Sequence, residues 1–157
     1  ASVTQQAGKT IATPVTGQTV ALGTVNDPVF SSEMMGKGIG ILPQSNEVYA
    51  PADGTLTVVY GTKHAYGITT KQGTELLIHI GIDTVNLAGQ HFTTNKQSGE
   101  QVKKGELLGT FDREAIQAAG YDTTVLVIVT NTNDFSDVRA HEELNVTNGQ
   151  NIIQTIS

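Results

Sequence analysis

Two histidines stand out as groups able to do chemistry. His79 interrupts the otherwise apolar run Glu75-Leu-Leu-Ile-His-Ile-Gly-Ile-Asp-Thr84, and His64 precedes it across the turn-forming stretch Lys71-Gln72-Gly73. A hairpin symmetric about Lys71-Gln72 sets the two imidazoles opposite each other on one face, with Cβ atoms roughly 4.5–5.5 Å apart. A bulge at Gly73 would slip that register by one residue. A lone histidine in an apolar strand is more often a hydrogen-bonded core residue, but two that converge point to a site. Neighbouring imidazoles disfavour double protonation, so at least one is neutral near pH 7. Its lone pair is then free to take a metal, a proton or a phosphoryl group.

The flanking residues divide by role. Gly81, lacking a side chain, leaves the space beside His79 open, and a backbone carbonyl there can accept the imidazole N–H and so fix its tautomer. Thr62 is two residues before His64, on the same side by strand alternation, where its hydroxyl can orient the ring. Asp83 offers an anion at the rim. Each has an ordinary explanation as bulge, strand former or turn residue, and their coincidence in one segment is what counts. His91 follows a Gly-Gln turn and His141 lies in the charged run Arg139-Ala-His-Glu-Glu143, so both read as solvent-facing.

The rest of the chain must position this pair. Its 157 residues suit a single core and are too few for two ordinary domains. Without cysteine it has neither disulfides nor thiolate metal ligands, so any metal would need histidine and carboxylate. A net charge of −6 with no Lys/Arg cluster argues against nucleic acid or an anionic membrane surface as a partner and favours one with a basic docking face. No apolar run approaches the roughly 18 residues of a membrane span. Residues 1–8 read as a polar linker left from a longer chain, and residues 9–157 as one domain.

Val, Ile, Thr and Leu segments alternate with Gly, Pro, Asn and Asp punctuation, the pattern of a mostly β fold. Expected strands cover 9–12, 19–21, 39–43, 47–49, 54–60, 62–69, 74–82, 107–111, 125–129 and 152–156. One short helix is signalled over Arg113–Ala119, capped by Asp112, closed by Gly120 and turned inward at Ile116. Ile11-Ala-Thr-Pro-Val-Thr-Gly17 echoes Val48-Tyr-Ala-Pro-Ala-Asp-Gly54, and Ser98-Gly-Glu-Gln-Val-Lys-Lys-Gly-Glu-Leu-Leu108 forms another strand-turn unit. A hairpin cannot bury its own apolar face, so such units pack together. The expectation is a compact β-sandwich or barrel of duplicated hairpin units with one or two short helices.

The segments Lys63-His-Ala-Tyr-Gly-Ile68 and Glu75-Leu-Leu-Ile-His-Ile-Gly-Ile-Asp-Thr-Val-Asn-Leu-Ala-Gly89 with Phe92 resemble the IIA domain of the glucose superfamily of the bacterial phosphoenolpyruvate-dependent sugar phosphotransferase system. Asp27-Pro-Val-Phe-Ser-Ser-Glu-Met-Met-Gly-Lys-Gly-Ile39, Ala50-Pro-Ala-Asp-Gly54 and Gly99-Glu-Gln-Val-Lys-Lys-Gly105 support it. The resemblance covers about residues 9 to 155 and implies a duplicated hybrid motif acting as a phosphotransferase component. His79 would accept a phosphoryl group from the histidine phosphocarrier protein HPr and pass it to a cysteine of a IIB domain, with a IIC permease in the same polypeptide. His64 would stabilise the moving charge, Thr62 would orient His64, and the Gly81 carbonyl would hold the His79 ring. An apolar docking face would comprise Phe30, Met34, Met35, Ile39, Ile41, Tyr60, Leu77 and Val85, with Asp27 and Asp83 pairing with HPr arginines. Asn86 departs from the glutamate of the best-known soluble member. No cofactor or metal is implied, and the domain is expected in the cytoplasm, held at the inner membrane face where fused to a permease. Met34-Met35-Gly36-Lys37 and Ala115-Ile-Gln-Ala-Ala-Gly-Tyr-Asp122 look most like IIA domains of β-glucoside, sucrose or trehalose transporters.

Two other readings compete. His79-x-x-x-Asp83 with His64 has the spacing of a zinc peptidase site, though no His-x-His element accompanies it. The Lys103-Lys104 turn resembles a lipoyl or biotinyl carrier hairpin, but the Met34-Met35-Gly36-Lys37 order is wrong for a biotinylated lysine.

Overall fold

The computed structural model describes residues 9–156, so the expected linker at 1–8 lies outside the described residues. Fourteen strands alternate with two short α-helices among these residues. The strands are β1 Lys9–Ala12, β2 Gly17–Ala21, β3 Lys37–Pro43, β4 Glu47–Tyr49, β5 Gly54–Val59, β6 Ala65–Thr70 and β7 Glu75–Ile80, followed by β8 Phe92–Thr93, β9 Gln101–Val102, β10 Leu107–Phe111, β11 Val125–Val129, β12 Asp137–Ala140, β13 Asn145–Val146 and β14 Asn151–Ile156. Helix α1 is Pro28–Ser31 and α2 is Arg113–Ala118. In α2 the Asp112 side chain accepts from the Ala115 N–H, Ile116 is fully buried, and Gly120 leaves with a positive φ, as the sequence signals.

All pairings are antiparallel. One large sheet has the order β13-β2-β3-β11-β7-β6-β5-β9, and two small sheets run β1-β14-β12 and β4-β10-β8. Read from the β11–β7 junction outward, the two halves match strand for strand. The internal echo is therefore a duplication with pseudo-twofold symmetry. Gly17 pairs with Pro43 and Val146, and Gly54 pairs in the same way with Thr70 and Val102. A Cβ on either glycine would fall 2.1 Å from the Leu42 oxygen or 2.4 Å from the Thr69 oxygen, so both turns need glycine for the same close approach. The echoed prolines meet across the axis, where Ala12 donates to the Pro51 carbonyl at 3.1 Å and Tyr49 to the Pro14 carbonyl at 2.8 Å.

Strand alternation separates two apolar regions. Ile39, Ile41, Ile78, Ile80, Val125 and Val127 face the main core under the large sheet. The outer face at β7 and β11 carries Leu77, Leu126 and Ile128, covered by Leu22, Val25 and Phe30 from the segment between β2 and β3. His79, two residues from Leu77, projects from this outer face.

Candidate functional site

The β6–β7 hairpin places the histidines, in a register one residue off the symmetric expectation. His79 pairs with Ala65, because Thr70 to Thr74 close the turn around Gly73 at a φ of 92°. His64 lies just outside β6, in a turn where Lys63 adopts a left-handed φ of 63° and donates its N–H to the Tyr60 carbonyl. This turn, not strand alternation, brings the rings together. Their centroids are 4.8 Å apart and the planes nearly perpendicular, at 85°.

Each ring is tied down at Nδ1. His79 Nδ1 lies 2.8 Å from the Gly81 carbonyl oxygen. A carbonyl only accepts, so Nδ1 carries the proton and the neutral ring keeps its lone pair on Nε2. His64 Nδ1 lies 2.7 Å from Thr62 Oγ1. When that hydroxyl donates, the His64 proton sits on Nε2 as a hydrogen-bond donor. His64 is buried at 3% exposure, whereas His79 is partly open to solvent. Phe30 lies 5.1 Å from the His79 ring and Tyr60 5.6 Å from that of His64.

Burial lowers both histidines. His64 falls to about 4, first by loss of hydration and then by the neighbouring His79. His79 is lowered by burial and partly restored by the Gly81 carbonyl, Asp27 and Asp83. Both imidazoles are thus neutral at pH 7.

The carbonyl that holds His79 belongs to a constrained backbone. Gly81 has a φ of 82°, its N–H donates to the Thr124 carbonyl, and Ile82 donates to that of Asp122. The Asp122 carboxylate accepts from the Thr124 N–H and hydroxyl, and Thr84 Oγ1 donates to the Ile80 carbonyl at 2.5 Å. The space that a Gly81 Cβ would take is filled by Thr84 Cγ2 at 2.4 Å and the Asp122 oxygen at 2.9 Å, so it is not open room beside the ring. Thr84 and Asp122 escaped the sequence reading, because only the fold brings the 122–124 loop against Gly81.

Of the expected docking residues, Phe30 and Tyr60 lie against the rings and Asp27 and Asp83 act on His79. Asp27 caps α1, accepting from the Val29 N–H at 3.0 Å, and thereby sets Phe30 beside His79. Tyr60, Asp83 and Val85 are exposed, and Leu77 is buried just beneath the face. Met34 is 78% exposed and, with Met35, borders a depression shared with Thr130 and Thr132. Ile39 and Ile41 require correction: both have zero exposure and point into the main core, the side of the sheet away from His79. Gly38 and Gly40 hold the outer positions on that strand. Val29, 45% exposed on α1, belongs to the face and was missed, although the Asp27-Pro28 capping pair signals the helix that presents it.

Among the described residues no three His, Cys, Asp or Glu side chains gather where they could hold a metal, which removes the geometric basis of the peptidase reading.

The chain resembles known proteins over nearly all of its length. Residues 9–135 match the family described as phosphoenolpyruvate-dependent sugar phosphotransferase system, EIIA 1. A β-glucoside-specific EIIBCA component from Bacillus subtilis is 51% identical over 126 residues, covering 80% of this chain and 21% of that protein. A glucose-specific EIIA component from Oceanobacillus iheyensis is 39% identical over 149 residues, covering 94% of this chain and 90% of that one. The solved glucose permease IIA from Mycoplasma capricolum superposes with a TM-score of 0.83 at 31% identity, covering 94% of this chain and 95% of that one. The chain spans about a fifth of the length of the EIIBCA relatives it matches.

Proposed function

The chain belongs to the EIIA 1 family of the phosphoenolpyruvate-dependent sugar phosphotransferase system, and on that premise we propose that His79 Nε2 is the atom that carries the phosphoryl group. The observation that supports this most directly is the pairing of a tautomer-locked His79 with His64 at 4.8 Å.

The Nε2 lone pair attacks phosphorus in line as the P–N bond to the donor's phosphohistidine breaks. Charge stays on the three equatorial oxygens, and His64 Nε2–H donates to one of them, with Thr62 holding the required tautomer. Transfer onward reverses the geometry: a thiolate of the acceptor attacks, and the bond to Nε2 breaks. Because His64 is neutral at pH 7, it stabilises the group by hydrogen bonding without locking it in a permanent ion pair.

The donor is HPr and the acceptor a IIB domain cysteine. The exposed apolar rim of Val29, Met34, Met35, Tyr60 and Val85 suits partners that must come and go, and methionine's flexible thioether helps one face fit two of them. Asp27 and Asp83 add a negative rim that speeds association with a basic partner. The functional unit is the single domain 9–157, working in the cytoplasm and joined in the full-length protein to IIB and IIC domains like those named in its EIIBCA relatives. No helix of the described residues is long and apolar enough to cross a membrane.

The test separates the two histidines. With phosphoenolpyruvate, enzyme I and HPr, His79→Gln takes up no label, while His64→Gln is labelled but transfers poorly to IIB. Exchanged phenotypes would overturn the assignment.

A further inference from the structure

We propose that Met34 and Met35 form an oxidation site, at which a peroxide converts an exposed thioether to the sulfoxide and reversibly weakens docking of the phosphoryl donor. The inference rests on the reading above that HPr binds the face to which they belong.

The chain has two methionines and no cysteine, so the side chains that peroxides attack most readily are confined to one dipeptide. Met34 is 78% exposed, more than any other large apolar side chain among the described residues, and Met35 is 42% exposed. Neither belongs to a buried cluster, since both apolar regions are built from aliphatic and aromatic side chains without sulfur.

The backbone keeps the pair outside. After α1, Glu33 turns the chain with a left-handed φ of 64° and donates its N–H to the Phe30 carbonyl at 3.0 Å, and Gly36 donates to the Glu33 carbonyl at 3.1 Å. Glu33 and Gly36 thus close a turn whose two central residues are the methionines. That turn is fixed against the end of β11. A Cβ on Gly36 would lie 2.2 Å from the Val129 oxygen, and the Lys37 N–H donates to Thr132 Oγ1 at 2.9 Å. The depression beside the methionines is lined by Thr130, Thr132 and Asn133, which give the sulfurs a polar border in place of apolar cover. None of the hydrogen bonds that hold the turn calls for sulfur, so oxidation leaves the fold intact.

The chemistry balances with a peroxide as oxidant. A sulfur lone pair attacks one peroxide oxygen, and the S–O bond forms as the O–O bond breaks. Sulfur gives up two electrons, while the departing hydroxide takes the proton of the transferred oxygen and leaves as water. A flexible apolar side chain becomes polar and chiral. Covering that oxygen with an apolar partner face strips its hydration, so the docked state loses more than the free one. Methionine sulfoxide reductases, one for each epimer, reverse the change.

The domain alone is treated with hydrogen peroxide, the excess is destroyed with catalase, and the added oxygen is located by peptide mass spectrometry. Oxidation is expected at Met34 first and at Met35 second. Initial rates of His79 labelling at varied phospho-HPr should then show the half-saturating concentration raised about tenfold, the scale of one polar group desolvated without a partner. The saturating rate and Tm should stay as they were, and the two reductases together should restore the parent curve. Met34→Leu with Met35→Leu, compared with itself before and after peroxide, should show no shift. An unchanged concentration dependence in the fully oxidised domain overturns the inference. So does a shift that persists in the double variant or after reduction, or a fall in Tm that traces the loss to unfolding. An untreated domain that takes no label from phospho-HPr sinks the carrier assignment and this inference with it, a failure distinct from the others.

Discussion

Gly81→Ala attacks the backbone that sets the His79 tautomer. An alanine at a φ of 82° carries about 1–2 kcal/mol of left-handed strain. Its Cβ would sit 2.4 Å from Thr84 Cγ2 and 2.9 Å from the Asp122 oxygen, overpacking worth about 1–3 kcal/mol. The sum is about 2–5 kcal/mol, and at roughly 2–4 °C per kcal/mol for a chain of this size Tm should fall by about 4–20 °C. Thr84→Ser removes the clashing methyl but keeps the hydroxyl that donates to Ile80. The double variant should therefore recover part of the overpacking share and none of the φ strain. Relief of the clash moves the Gly81 carbonyl, so the hydrogen bond to His79 Nδ1 weakens, and phosphoryl uptake should slow by about tenfold, the equivalent of one hydrogen bond. Thermal unfolding followed by circular dichroism, with uptake from phospho-HPr assayed well below Tm, checks both effects. A Tm within about 2 °C of the parent, the lower edge of that scale, or a double variant no more stable than Gly81→Ala, would refute the reasoning.

Stability should fall on acidification through His64. Its pKa is about 4 when folded and near 6.5 when unfolded, so the contribution is fully present above about 6.5 and is lost as pH falls towards 4. Between pH 7 and pH 5 the loss is about 2 kcal/mol, and urea unfolding of His64→Gln should show a correspondingly flatter pH slope. The corrected docking face gives a contrast: Ile41→Ala should cost about 2–5 kcal/mol of stability through a core cavity. Val85→Ala, half-exposed at the site, should leave Tm nearly unchanged while raising the concentration of HPr needed for half-maximal uptake.

Much of this fold is written in local chemistry. Asp112 and Gly120 bound α2, and the two Pro-x-x-Gly turns announced a duplication that the sheet order confirms. The matching Val146-Thr-Asn-Gly149 turn, partner to Val102-Lys-Lys-Gly105, passed unnoticed because β13, the edge strand that leads into it, is only two residues long. The hairpin register was misread by one residue since turn length depends on how Gly73 closes the loop, and alternation alone cannot fix that. The same limit applied to Thr62, whose contact with His64 arises from a left-handed Lys63 that no periodicity reveals. Ile39 and Ile41 were assigned to the surface because their segment matched a docking motif. Apolar β-branched residues look alike on either face of a sheet, and only the pairing of Gly40 with Leu126, itself opposite His79, shows which side is out.

The central claim concerns a single nitrogen. Two-dimensional ¹⁵N NMR of the domain phosphorylated by phospho-HPr should show the phosphoryl group on Nε2 of His79, with the Nδ1 proton retained in its bond to Gly81. Phosphorus on His64, or on Nδ1 of His79, would contradict the account.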